Sequence, residues 1–262
     1  MFRTLQIEYI VLPACRCGTR CEYIHVRSTA ASLLPTVPYR HAGNTLFRLA
    51  FLLLLVVNLP LSVSANTILI VGDSLSAAYG MPVEQGWVRL LQQRLDADHY
   101  PYTIVNASIS GDTTANALDR LPQALIRHQP VIVILELGGN DGLRGLSLAE
   151  MKRNLAAMIE TVRQSGAQVL LIGVQLPPNY GPRYTGEFHA VYHELAQEYG
   201  LALLPSLVDG VGTRTELMQA DGIHPNSKAQ PLIVSRVWQQ LRPLMSRSAA
   251  LQHDDKAGSE SD

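Results

Sequence analysis

Between Thr67 and Leu204 the chain returns repeatedly to short, nearly unbroken apolar runs: Thr67 to Val71, Tyr102 to Asn106, Val131 to Leu137, Gln168 to Gly173, and a weaker Ala202 to Leu204. Runs rich in Val, Ile and Leu, without the polar alternation of a half-exposed strand, suit parallel strands covered on both faces. Helical patterns fill the intervals, the clearest from Leu148 to Ser165, where Leu148, Met151, Leu155, Met158, Ile159 and Val162 make one stripe. Strand, helix and strand recurring at intervals of about thirty residues implies right-handed crossovers. The expected fold is α/β, a three-layer α/β/α sandwich of about five parallel strands over residues 66–246.

That helix also has stop and start signals. Ser147 and Glu150 have the spacing of a capping box, and Gly166 can take the left-handed backbone that follows a last turn.

In open parallel sheets, ligands sit beyond the carboxyl ends of the strands. The residues there are Gly72-Asp73-Ser74-Leu75-Ser76 after the first run, Ala107-Ser108-Ile109-Ser110-Gly111-Asp112 after the second and Gly138-Gly139-Asn140-Asp141 after the third. Late in the chain stands Asp221-Gly222-Ile223-His224-Pro225. A serine hydroxyl is a weak nucleophile unless an imidazole takes its proton and a carboxylate fixes that imidazole's tautomer. Asp221 and His224, three apart in a Gly- and Pro-containing turn, can supply orienter and base from one loop to Ser74. The charge on an attacked carbonyl oxygen needs fixed donors, and the backbone N–H groups of Ser74 and Gly111 and the side-chain amide of Asn140 are candidates. Each feature alone has a plain reading as turn chemistry or a helix cap. Together they fall at one edge of one sheet, in four separate loops.

Gly72 to Ser76 is not the Gly-x-Ser-x-Gly elbow of α/β-hydrolases, because Ser76 holds the last position. The four blocks resemble the SGNH, or GDSL, hydrolase superfamily, with Ser74, Gly111, Asn140 and His224 at its four named positions. Asn106 through Thr113, Glu136 through Gly145 and Leu176 through Gly181 extend the likeness to that superfamily's bacterial multifunctional thioesterases, over residues 66 to 245. The resemblance implies a flavodoxin-like sheet of order 2-1-3-4-5, a periplasmic location, and thioesterase, lysophospholipase and arylesterase activity without cofactor or metal. Leu143, Pro177 and Tyr180 are candidate substrate-binding residues. A carbohydrate O-deacetylase of the same superfamily and a non-catalytic exported acyl-lipid carrier are the alternatives.

Ahead of this domain, Arg48, the apolar stretch Leu49 to Leu59 and the exit Val63-Ser64-Ala65 read as a signal peptide over residues 46–65, cleaved after Ala65. The stretch is short of the ~20 apolar residues a membrane span wants. Residues 1–45 read as a disordered leader, either a start assigned too far upstream, with translation beginning near Leu46, or a genuine long leader. The three cysteines, Cys15, Cys17 and Cys21, all lie in that leader, which removes thiolate and disulfide chemistry from the domain. Residues 247–262, acidic and poor in apolar groups, are expected to be disordered.

A formal net charge of -1 gives no basic face for nucleic acid. The expected partner is an acyl ester or thioester, and the processed chain is expected to be a monomer without a membrane span. His189 and His193, four apart, read as surface histidines, since Ala190 stands where a zinc protease motif needs glutamate. Glu136, in an apolar strand, must face a polar partner or shift its pKa, and is given a structural role. Asp141 is read as a turn residue tolerant of unusual backbone angles, the alternative being that it orients the Asn140 loop or tunes the site.

Overall fold

A computed structural model describes the backbone of residues 66–259 and the side chains of residues 66–246. The expected leader and signal segment lie outside the described residues. Five strands, β1 (Asn66–Gly72), β2 (Tyr102–Asn106), β3 (Ile132–Glu136), β4 (Gln168–Ile172) and β5 (Ala202–Leu204), differ from the apolar runs by no more than one residue at either end. All pairings are parallel, in the order β2-β1-β3-β4-β5.

The alternation of faces along the strands explains the unbroken apolar runs. Ile68, Ile70, Ile132, Ile134, Leu170 and Ile172 point to one face, where α1 (Trp87–Ala97) and α6 (Gln230–Ser259) pack through Trp87, Leu91, Ile233 and Val237. Leu69, Val71, Val133, Leu135, Val169 and Leu171 point to the other. There α2 (Thr114–His128), α4 (Leu148–Gln164) and α5 (Pro182–Tyr199) cover them through Leu121, Met151, Leu155, Met158 and Phe188. Each such side chain, removed fully from water, contributes roughly 1.5–3 kcal/mol. A short helix, α3 (Gly139–Leu143), precedes α4.

Two details differ from expectation. The Ser147 hydroxyl accepts from the Glu150 N–H at 3.3 Å, but that cap is one-sided; the reciprocal box forms at α2, between Thr113 and Asn116. Glu150 is exposed, so its carboxylate is already solvated without the cap's amide. Helix α6 continues to Ser259, beyond Ser246 where a disordered tail was expected. Extending a helix through Ala249, Ala250, Leu251 and Gln252 fixes one residue per hydrogen bond, far less costly than starting one. Among the described residues no helix is long and apolar enough to cross a membrane.

Candidate active site

The strand order opens a crevice. From β1 the chain moves through α1 on one face, while from β3 it moves through α3 and α4 onto the other. β1 and β3 are neighbours, so the loops leaving their carboxyl ends part from each other, which is where open α/β sheets bind ligands.

The first loop carries Ser74 in a turn closed by Ala77 N–H to the Asp73 carbonyl at 3.0 Å and Tyr79 N–H to the Ser74 carbonyl at 3.1 Å. The third begins at Gly138, whose φ of 110° suits only glycine and whose Cβ would stand 2.4 Å from the Tyr192 hydroxyl. Asn140 follows in the first turn of α3. Asp141, read as a turn residue, is instead helical and buried, and its carboxylate accepts from the Thr114 N–H (2.9 Å) and hydroxyl (2.6 Å). It thereby fastens the Asn140 loop to the start of α2.

On the fourth loop, Asp221 Oδ1 accepts from the backbone N–H of Ile223 (2.9 Å) and His224 (3.0 Å), while Oδ2 lies 2.7 Å from His224 Nδ1. Burial alone would raise this carboxyl, but the His224 backbone, the His224 ring and the Ile223 N–H together hold it below the ordinary range. An ionised carboxylate only accepts, so Nδ1 carries the ring hydrogen and Nε2 presents a lone pair. Nε2 lies 2.8 Å from Ser74 Oγ. The Tyr79 ring leans on the imidazole, with centroids 4.6 Å apart.

Beside this relay is a cavity of about 330 Å³, lined by Ser74, Gly111, Asn140, Leu143, Leu176 and Pro177 among others. Gly111 holds φ at 86°, and Arg144 Nη2 donates to its carbonyl at 2.9 Å. Among the described residues, the backbone N–H groups of Ser74 and Gly111 donate to no protein acceptor. Asn140 differs: its Nδ2 donates to the Asp112 carbonyl at 2.9 Å and to Asp73 Oδ2 at 3.2 Å. A free backbone donor pair near a hydroxyl 2.8 Å from an imidazole nitrogen is an arrangement suited to acyl transfer.

Residues 70–231 match the GDSL-like lipase/acylhydrolase family. The chain belongs to that family. It is 53% identical over 182 residues to the esterase TesA of Pseudomonas aeruginosa, covering 70% of this chain and 90% of that one. It is 42% identical over 208 residues to the thioesterase 1/protease 1/lysophospholipase L1 of Escherichia coli, covering 79% and 98%. The crystal structure of the psychrotrophic esterase EstA from a Pseudoalteromonas species, inhibited by monoethylphosphonate, superposes with a TM-score of 0.66 at 41% identity, over 69% of this chain and 99% of that one.

Within this family member, the structure brings Ser74, Gly111, Asn140, Asp221 and His224 to one place. Leu143 and Pro177 line the cavity. Tyr180 does not: it stands at a separate, shallower recess, where its hydroxyl donates to the Leu143 carbonyl at 2.9 Å. His189 and His193 meet edge to face with ring centroids 4.9 Å apart, and His189 Nε2 lies 3.1 Å from the Pro205 carbonyl, so that nitrogen carries the hydrogen. Among the described residues no group of three or more His, Cys, Asp or Glu is arranged to hold a metal.

Sequence reasoning passed over two contributors. Asp73, buried below the Ser74 loop, accepts from the Leu75 N–H at 3.0 Å as well as from Asn140. Gln219 bridges the first and fourth loops, donating to the Tyr79 carbonyl at 2.8 Å and to the Pro225 carbonyl at 3.2 Å. Long-range amide bonds of this kind leave no periodic trace. Glu136 has the polar partner it was expected to need, the Ser76 hydroxyl at 2.6 Å, and burial with Asp73 alongside pushes its carboxyl well above the usual range.

Proposed function

We propose that this chain is an exported serine hydrolase that cleaves acyl esters and thioesters, with Ser74 as nucleophile, His224 as base and Asp221 as its orienter. The observation that carries it is the relay of 2.7 Å and 2.8 Å contacts ending at Ser74 Oγ beside two unengaged backbone N–H groups. His224 Nε2 takes the Ser74 proton as Oγ bonds to the acyl carbon, and the carbonyl electron pair moves onto oxygen. The N–H groups of Ser74 and Gly111 and the Asn140 amide stabilise that oxyanion; losing one such donor typically costs about 2.7–4 kcal/mol. Collapse expels the thiolate or alkoxide, which takes the proton from His224. Water, deprotonated by the same nitrogen, then releases the acyl group as its acid.

Leu143, Val174, Leu176 and Pro177 form an apolar wall for the acyl chain. The relatives described above are named as an esterase and as a thioesterase and lysophospholipase, and the proposal extends both chemistries here. Acyl-CoA is a cytoplasmic compound, which makes lysophospholipids or other esters the better natural substrates for an exported enzyme.

The test is hydrolysis of short, medium and long acyl esters, an acyl-CoA and a lysophospholipid by the processed chain and its Ser74→Ala variant. Turnover should favour medium or long chains and fall at least about a thousand-fold in the variant. Acetyl-only activity would favour the deacetylase, and equal rates in both proteins would remove Ser74 from the chemistry.

A further inference from the structure

The Asn140 amide must present nitrogen, not oxygen, to an oxyanion, yet the two ends have nearly the same shape. What distinguishes them is their acceptors. Nδ2 faces two, the Asp112 carbonyl from the loop after β2 and Asp73 Oδ2 from the loop after β1. The Asp112 carbonyl cannot change its character, but a carboxyl group can: ionised it only accepts, protonated it can also donate. Asp73 is 2% exposed, and a Cβ on Gly139 would stand 3.1 Å from its Oδ2, so the group has no room to turn away.

Resting on the oxyanion role proposed for Asn140, we infer that Asp73 is a positioning residue whose carboxylate holds the Asn140 amide nitrogen-inward, and that protonating Asp73 releases that amide. The 3.2 Å bond is the longer of the two, so the hydrogen along it can be shared with an oxyanion without breaking the 2.9 Å anchor to Asp112. Protonated on Oδ2, Asp73 holds Nδ2 less firmly and can compete to donate to Oδ1, a flip that gives up the Asp112 bond and sets an acceptor against the developing charge.

The groups facing Asp73 come from every side of the crevice: His224 on the fourth loop, Asp112 after β2, Glu136 at the end of β3 and Tyr192 on α5. Burial pushes the Asp73 carboxyl up to about 6, with Asp112 adding to the rise, while the Leu75 N–H, His224 and Asn140 favour the anion. Asp73 therefore changes state in mildly acidic solution, separately from the requirement that His224 be neutral.

The experiment compares the parent, Asp73→Asn and Ser74→Ala on a soluble acyl ester from about pH 5 to about pH 9, with thermal unfolding at each pH. In the parent, the acid limb of log kcat/KM should steepen towards a loss of two protons. In Asp73→Asn, kcat at alkaline pH should fall at least about tenfold with KM changed less than about twofold, because the lost interaction is one made in the transition state. Its acid limb should keep one proton, and its unfolding temperature should not drop, since a buried ionised group has been removed. A parent limb that never exceeds one proton, or a variant with parental kcat, overturns the inference; so does a kcat loss accompanied by an equal loss of stability. Activity persisting in Ser74→Ala would instead overturn the proposed function.

Discussion

Gln219 clips the loop that carries His224 to the loop that carries Ser74. Its Nε2 donates to the Tyr79 carbonyl at 2.8 Å and the Pro225 carbonyl at 3.2 Å, while its backbone N–H donates to the His224 carbonyl at 2.7 Å. Ser74 and His224 are 150 residues apart in sequence, and their 2.8 Å contact depends on two exposed loops keeping register. Gln219→Ala removes the side-chain clip and leaves the backbone bond. A net hydrogen bond is worth about 0.5–1.5 kcal/mol, so unfolding should move little. Misplacement of a base costs more than that, and kcat/KM should fall about tenfold or more. Parental kinetics in this variant would show that the loops hold register without Gln219.

Asp221→Asn isolates the orienting role. The asparagine carbonyl can still accept from the Ile223 and His224 N–H groups, so the turn should persist and thermal stability should stay near that of the parent. Its NH2, however, donates towards Nδ1 and drives the ring hydrogen onto Nε2, which can then no longer accept the Ser74 proton. A fall in kcat of about ten-thousandfold is expected from the wrong tautomer alone. Because Asp221 is held below the ordinary carboxylate range, what it contributes is present above that range and lost only as pH falls beneath it. The acid limb of the parent should therefore not be its titration. A loss of under about tenfold would assign the orientation of His224 to its loop instead.

The fold was legible because its strands are covered on both faces: with Ile68 and Ile70 against α1 and α6, and Leu69 and Val71 against α2, α4 and α5, a polar residue is admitted only where it finds a buried partner, as Glu136 does in Ser76. The loops holding Ser74, Gly111, Asn140, Asp221 and His224 stood out for a different reason, since a positive φ demands glycine and the nucleophile and base proposed at Ser74 and His224 each demand a particular residue type. Gln219 and Asp73 did not, because a glutamine after a methionine or an aspartate after a glycine has many uses, and only the packed chain supplies the partner. Tyr180 was misplaced for the same reason: its loop reaches the site, but its ring turns to a separate recess and only its hydroxyl returns, to Leu143.

Glu136→Gln should separate charge from shape at the end of β3. The parent carboxyl is fully buried, bonded to the Ser76 hydroxyl and raised well above its usual range, so it keeps its proton in the folded state where the unfolded chain has released it. A group raised in this way adds stability as pH falls and withdraws it as pH rises above the ordinary carboxylate range, near about 4.3. Glutamine has nearly the same outline and no such proton. The variant should match the parent in unfolding temperature at acid pH and exceed it by a growing margin towards neutrality, with kcat little changed. A margin that does not vary with pH would mean that Glu136 is ionised in the folded protein.

Gly111→Ala tests whether the unengaged N–H of that residue faces the chemistry. A Cβ there would meet only Arg144 Nη2, at 3.7 Å, so no clash opposes the substitution. The φ of 86° does, since an alanine held in that region costs about 1–2 kcal/mol and relieves it by rotating the peptide unit. That rotation turns the N–H away from the cavity. Stability should fall by about that amount, while kcat should fall about a hundredfold, as for the loss of an oxyanion donor. Burst kinetics on an activated ester should locate the loss in both acylation and deacylation, because the same donor serves both tetrahedral intermediates. If stability falls and both steps keep their parental rates, glycine is required at 111 for the turn alone, and the oxyanion rests on Ser74 and Asn140.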